Sequence, residues 1–314
     1  MTINTTWLSR ILLCLFTLFI VLALSAQEKD AYLWPVNLQK DYSKSYPVGN
    51  ETIVLANRYG AMKIETWDKN EVKVDVHVSV GSHSNEYAKQ ALEKISVTDK
   101  KEGDRIEYQT QIESWTYDNN GGHEFRIDYV VHLPANAKLI AENNFGPLTI
   151  GDYKGESELY CRYGTLTAGK LLNNKSIAVH NGRAKIQQVN EGKVLFRYSR
   201  VDIEKLSGKI SGGFEYCNSI DMPVDNALTE LELKNNYTNL YLMAAKDFSA
   251  NYDITTNNAR VTGKNDIVIK EELANPNTSR TNNFNPVHKY TGSLGKGGGT
   301  MINIKSNYGN IRVL

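Results

Sequence analysis

Two aspartates and four arginines have the types and spacing that could do chemistry. Asp202 and Asp221 fall at equivalent positions of neighbouring repeats, and would stand about 5 Å apart if those repeats pair as adjacent strands. That is the separation of the carboxylates in a retaining glycosidase, one acting as nucleophile and one as acid and base. Lys185 holds the same position one repeat earlier, so a solvated, partly neutralised face is the preferred reading of the pair. Arg162, Arg183, Arg197 and Arg200 recur on successive repeats together with His180. Stacked guanidinium groups receive a sulfate, phosphate or uronate through paired N–H donors. Glu191, Glu204 and Glu215 lie close enough to make the same arginines an ordinary charged edge.

The remaining residues argue against catalysis. His77, His83, His123, His132, His180 and His288 show no HExxH spacing, and there is no CxxC, so no metal site is expected. G-x-S-x-G and GxxxxGK[ST] are both absent, and Gly295 to Gly299 reads as a flexible loop with no strand-to-helix setting. No cofactor and no catalytic residue are predicted. With 36 Lys and Arg against 35 Asp and Glu in 314 residues, the chain lacks the basic excess of a general nucleic-acid binder. Eighteen Tyr and 23 Gly beside only 7 Pro point to strands and turns.

What must position these residues is a repeat. One phrase recurs: two alternating apolar residues, an aromatic or Asn, a small residue, then two more alternating apolar residues. The aromatic slot falls at Tyr59, Phe145, Tyr163, Asn181, Tyr198, Tyr216, Tyr237, Asn258 and Tyr308, and from Phe145 to Asn258 the steps are 17 to 21 residues. A unit of that size cannot bury its apolar side alone, but stacked units can. The prediction is an all-β fold, a β-solenoid or β-helix with one short helical insertion. The register places Thr149, Thr167, Lys185, Asp202, Asp221, Tyr241 and Thr262 in one outward column. The slot tyrosines share the parity of the apolar residues, so a core or corner ladder is expected of them rather than an exposed sugar-stacking stripe.

Six segments follow. Residues 1–26 carry Arg10, the uncharged run from Ile11 to Leu24 and small residues at Ser25 and Ala26, the order of a cleaved secretory signal. Its removal leaves equal numbers of cationic and acidic residues. Residues 27–50 are a lead-in. Residues 51–134 form a capping part with long alternating strands and a helix over 84–94, residues 135–270 the repeat array, 271–299 an aperiodic mobile loop, and 300–314 a final copy. Cys161 and Cys217 stand three strand spacings apart, about 14 Å, whereas a disulfide needs Cα atoms within about 7 Å. No disulfide is predicted.

The phrases LPANAKLIAENNFGPLTIGDYKG and LYCRYGTLTAGKL resemble the candidate-adhesin domains of exported bacterial proteins, relatives of the head domain of candidate autotransporter adhesins found often in the Bacteroidetes. The resemblance covers residues 52–268 and 300–314. It implies a β-solenoid outside the cytoplasm, in the periplasm, at the outer membrane or on the cell surface, with adhesion as its role. The expected function is therefore a non-catalytic envelope binding module, not an integral membrane protein once its signal is removed. Its partner would be an anionic glycan or another envelope protein, and not nucleic acid. Two alternatives are a carbohydrate-active β-helical enzyme using Asp202 and Asp221, and a structural or sensory scaffold.

Overall fold

The computed structural model describes residues 34–114, 122–264, 269–272 and 286–314; within them the chain is all-β with one helix. The period-two pattern becomes strands with alternate side chains buried, as in Tyr153–Arg162, where Tyr153, Gly155, Ser157, Leu159 and Cys161 face inward. Apolar residues of every copy join one continuous core, the outcome required of units too small to close a core singly.

Copies pair in parallel along two ladders. Before the slot, Leu159 lies opposite Ala141 on one side and Ile177 on the other, and Ile177 opposite Val194. After the slot, Leu166 lies between Leu148 and Ala184, and Ala184 opposite Val201. Equivalent residues of successive copies are thus direct lateral neighbours.

Sequence order and spatial order diverge at the C-terminal end. Thr300–Asn307 lies between Leu228–Ala244 and Ala250–Asn257. Ile311–Val313 likewise sits between Leu240–Leu242 and Val261–Gly263. The copy that closes the sequence is therefore inserted between the Tyr237 and Asn258 copies. Residues 271–299, expected to be a mobile loop, contain the strand Val287–Leu294, which pairs antiparallel with Ala250–Asn257 and covers its outer edge. Only Tyr290 and Leu294 of this strand are buried, too few to give a readable alternation. Residues 273–285 lie outside the described ones.

At the N-terminal end the lead-in includes Val36–Pro47, an edge strand antiparallel to Glu71–Ser82 over its whole length. Glu71–Ser82 pairs antiparallel with His123–Pro134, which joins the first copy through a parallel pairing to Met62–Trp67. Ile95–Glu102 and Arg105–Ile112 form a hairpin attached to Thr52–Arg58. The helix Asn85–Lys94 starts at Ser84, whose hydroxyl accepts from the Tyr87 amide at 3.2 Å, and it buries Ala88 and Ala91. Such coverage protects terminal strands from pairing with other chains.

Cys161 and Cys217 are free and buried. Burial pushes the Cys161 thiol up to about 11. The expected signal segment lies outside the described residues, and no described helix is long and apolar enough to cross a membrane.

Candidate functional site

The slot is a corner, and its backbone explains the residues found there. All nine slot residues have positive φ, between 49° and 64°. That left-handed conformation costs an ordinary L-residue about 1–2 kcal/mol and is tolerated best by Gly, Asn and Asp. Here the chain places Asn at 181 and 258, and an aromatic at the other seven. The small residue after the slot has a different task. A Cβ on Gly146 would lie 1.9 Å from the Gly60 carbonyl oxygen, and one on Gly164 2.0 Å from that of Gly146. The aromatic therefore turns the chain, and the glycine lets adjacent corners approach.

This backbone overturns part of the expectation for the tyrosines. The corner breaks the alternation: Cys161 and Leu166 are buried, five residues apart, while Tyr163 between them is 55% exposed. Parity carried over from the first strand alone predicted an inward ring. Instead the rings form a corner ladder that is exposed except at half-buried Tyr59, which packs edge-on against Phe125. Tyr59, Phe145 and Tyr163 stack at 5.0 and 4.9 Å, and Tyr198, Tyr216, Tyr237 and Tyr308 at 4.9, 4.8 and 4.8 Å, all within 8° of parallel. Asn181 separates the two stacks.

Beneath the rings, buried polar side chains satisfy the corner carbonyls. Asn143 donates to the Gly60 and Pro147 oxygens at 2.9 Å, Asn235 to the Thr238 oxygen at 2.6 Å, and Ser306 to the Gly309 oxygen at 2.6 Å. At the Asn181 copy this position is Val179, whose carbonyl instead accepts from the Ser199 hydroxyl of the next copy at 3.1 Å. These residues were missed in the sequence because they lie where an apolar residue belongs; their polarity answers the backbone groups a corner exposes.

The four arginines fall on both sides of the break in the ladder. On the side preceding the slot, Arg162, His180 and Arg197 are lateral neighbours, followed by Glu215. On the side following it, Arg183 lies beside Arg200. Burial, with Arg162 and Arg197 adding repulsion, holds the His180 imidazole below its ordinary value. Arg197 pairs with Glu215 at 2.9 Å, and Arg183 with Asp202 at 2.5 Å. Arg162 and Arg200 are exposed and have no ion pair among the described residues.

The outward column is assembled as the register requires, with Lys185 beside Asp202 and Asp202 beside Asp221; Arg312 enters between Tyr241 and Thr262 because of the inserted copy. Asp202 and Asp221 are the single paired position between Arg200–Leu206 and Gly208–Val224. The latter strand carries one extra residue at its corner, where both Tyr216 and Asn218 have positive φ, and its register shifts there by one. An open depression of about 610 Å³ results, lined by Tyr198, Arg200, Asp202, Glu204, Tyr216, Asn218 and Asp221 among others. The Arg183 guanidinium donates twice to one Asp202 oxygen, Oδ2, so this carboxylate is part of the charged edge. No cluster of His, Cys, Asp and Glu among the described residues is arranged to hold a metal ion.

No family model and no curated protein matches the chain. Among solved structures it is similar to a candidate adhesin of Bacteroides fragilis, at 8% identity over 88% of this chain and 97% of that one, with a TM-score of 0.39. A candidate lipid-binding protein of Parabacteroides distasonis matches at 10% identity over 87% and 96%, TM-score 0.36. A candidate cell adhesion protein of Clostridium sporogenes matches at 12% identity over 88% and 99%, TM-score 0.22.

Proposed function

We propose that the protein is an exported β-solenoid of the cell envelope that binds an anionic glycan along its corner edge and does not transform it. The observation that carries this reading is the edge itself: exposed Tyr rings at strained corners, flanked by Arg162 and Arg200, which have no ion pair among the described residues. Strain maintained at solvent-facing positions is the pattern associated with function. Guanidinium beside aromatic faces suits a sugar bearing carboxylate or sulfate. The ion pair of Asp202 with Arg183 fits a charged edge as the setting of the carboxylate pair. Tyr198 and Arg200 of the edge also line the depression that holds Asp202, Glu204 and Asp221, so a polyanion on the edge is held on the Arg162 and Arg200 guanidinium groups and not on the carboxylates.

The test is binding of the chain from residue 27 onward to immobilised carboxylated and sulfated glycans. Binding that weakens with salt, and falls in the double variant Arg162→Ala, Arg200→Ala, supports the reading. No binding by the wild type to either class, or equal binding by the variant, overturns it.

A further inference from the structure

The break at Asn181 is the one interior corner of the ladder without a ring. Spatially the corners run Tyr59, Phe145, Tyr163, Asn181, Tyr198, Tyr216, Tyr237, Tyr308 and Asn258. Tyr216 and Tyr237 have both faces covered by neighbouring rings. Tyr163 and Tyr198 each have one face covered, by Phe145 and Tyr216, and turn the other toward Asn181. Two ladder steps of about 4.8 Å put these two rings about 9.6 Å apart. A single six-membered ring in the middle would sit about 4.8 Å from each, matching the 4.8–4.9 Å centroid spacing of the native second stack.

Resting on the reading of a glycan-binding edge, we propose that this gap is a clamp for one pyranose unit bearing an acidic group, held between the Tyr163 and Tyr198 rings. Three observations choose this occupant. Asn181 is exposed and its side-chain amide has no hydrogen-bond partner among the described residues, so the floor offers a donor and an acceptor to hydroxyls. The two rings are 55% and 58% exposed and present apolar faces to the C–H faces of a sugar. Arg162 stands next to Tyr163 and Arg200 two residues after Tyr198, one unpaired guanidinium on each side of the corner, complementary to a carboxylate or sulfate. His180 lies between Arg162 and Arg197, and burial, with repulsion from those two arginines, lowers its pKa, which places a hydrogen-bonding imidazole beside the clamp.

Asn181→Tyr tests this with little risk to folding, because Tyr occupies six of the nine equivalent corners. The new ring would fill the clamp and join the two stacks. Affinity for hexagalacturonate and for a sulfated chondroitin hexasaccharide is measured by calorimetry on wild type and variant, with methyl-esterified hexagalacturonate as the uncharged control. The expected result is at least a tenfold loss in Asn181→Tyr, and wild-type binding to the ester at least tenfold weaker than to the acid. Retained affinity in Asn181→Tyr overturns the clamp while leaving the glycan-binding edge standing, and equal binding of ester and acid overturns the acidic occupant. Failure of the wild type to bind either anion overturns both. Tyr163→Leu is the second variant: it removes a wall without filling the gap, and undiminished binding by it also sinks the clamp.

Discussion

Replacing Gly164 by Ala should destabilise the protein far more than one methyl group suggests. A Cβ there meets the Gly146 carbonyl oxygen at 2.0 Å and its carbon at 2.8 Å, with the Cys161 sulfur at 3.2 Å. The first contact is more than 1 Å inside normal approach, and the obstacle is backbone that cannot swing aside. Relief requires parting the Phe145 and Tyr163 corners, where the Phe145 amide donates to the Arg162 oxygen at 2.8 Å and the rings stack at 4.9 Å. Overpacking of a closed site costs about 1–3 kcal/mol, and weakening one ladder hydrogen bond adds about 1 kcal/mol. The expected loss is about 2–4 kcal/mol. Gly151→Ala is the control, since a Cβ at Gly151 has no neighbour within 4 Å; it should change stability by less than about 0.5 kcal/mol. Urea unfolding monitored by circular dichroism reads both as midpoint shifts at constant slope. Equal stability of the two variants would refute the claim that the glycine column exists for close approach.

Two further perturbations examine the corner and the N-terminal cap. Tyr237→Val and Tyr237→Asn both remove the ring stacked on Tyr216 and Tyr308, but Val is poorly suited to φ of 50°. The Val variant should be less stable than the Asn variant by about 1–2 kcal/mol; equal urea midpoints would count against backbone strain at the slot. At the cap, hydrogen bonds from the Lys101 ammonium and the Gly49 amide lower the Glu51 carboxyl to about 2. Because the folded value lies below the unfolded value of about 4.3, this contribution is complete above that pH and is lost as pH falls toward 2. Glu51→Gln should flatten the fall of the urea midpoint between pH 4.5 and pH 2, and an unchanged slope would contradict the assignment.

Much of the fold was legible because period two is a direct trace of a half-buried strand. The 17-to-21-residue steps then aligned Leu159 with Ile177 and Lys185 with Asp202, as the ladders have them. Order in space was not legible, because a parallel ladder accepts any copy of matching pattern: Ile302 and Ile304 fit between the Tyr237 and Asn258 copies as well as beyond them. The outward turn of the tyrosines was hidden by a conformation that strand parity does not encode. Its trace was present in the exchange of Asn with Tyr at one slot, since Asn is a residue that tolerates positive φ. The lateral order of the arginines followed from the repeat, but the gap at Asn181 needed the rings on either side of it to be seen as exposed and stacked.

The most direct measurement of the binding edge is hydroxyl-radical footprinting of the protein with and without saturating sulfated chondroitin hexasaccharide, reading oxidation at each corner ring by mass spectrometry. The account predicts strong protection of Tyr163 and Tyr198 and little change at Tyr308, which lies at the far end of the second stack. Protection confined to other surfaces, or uniform oxidation of all corner rings in both states, would contradict it.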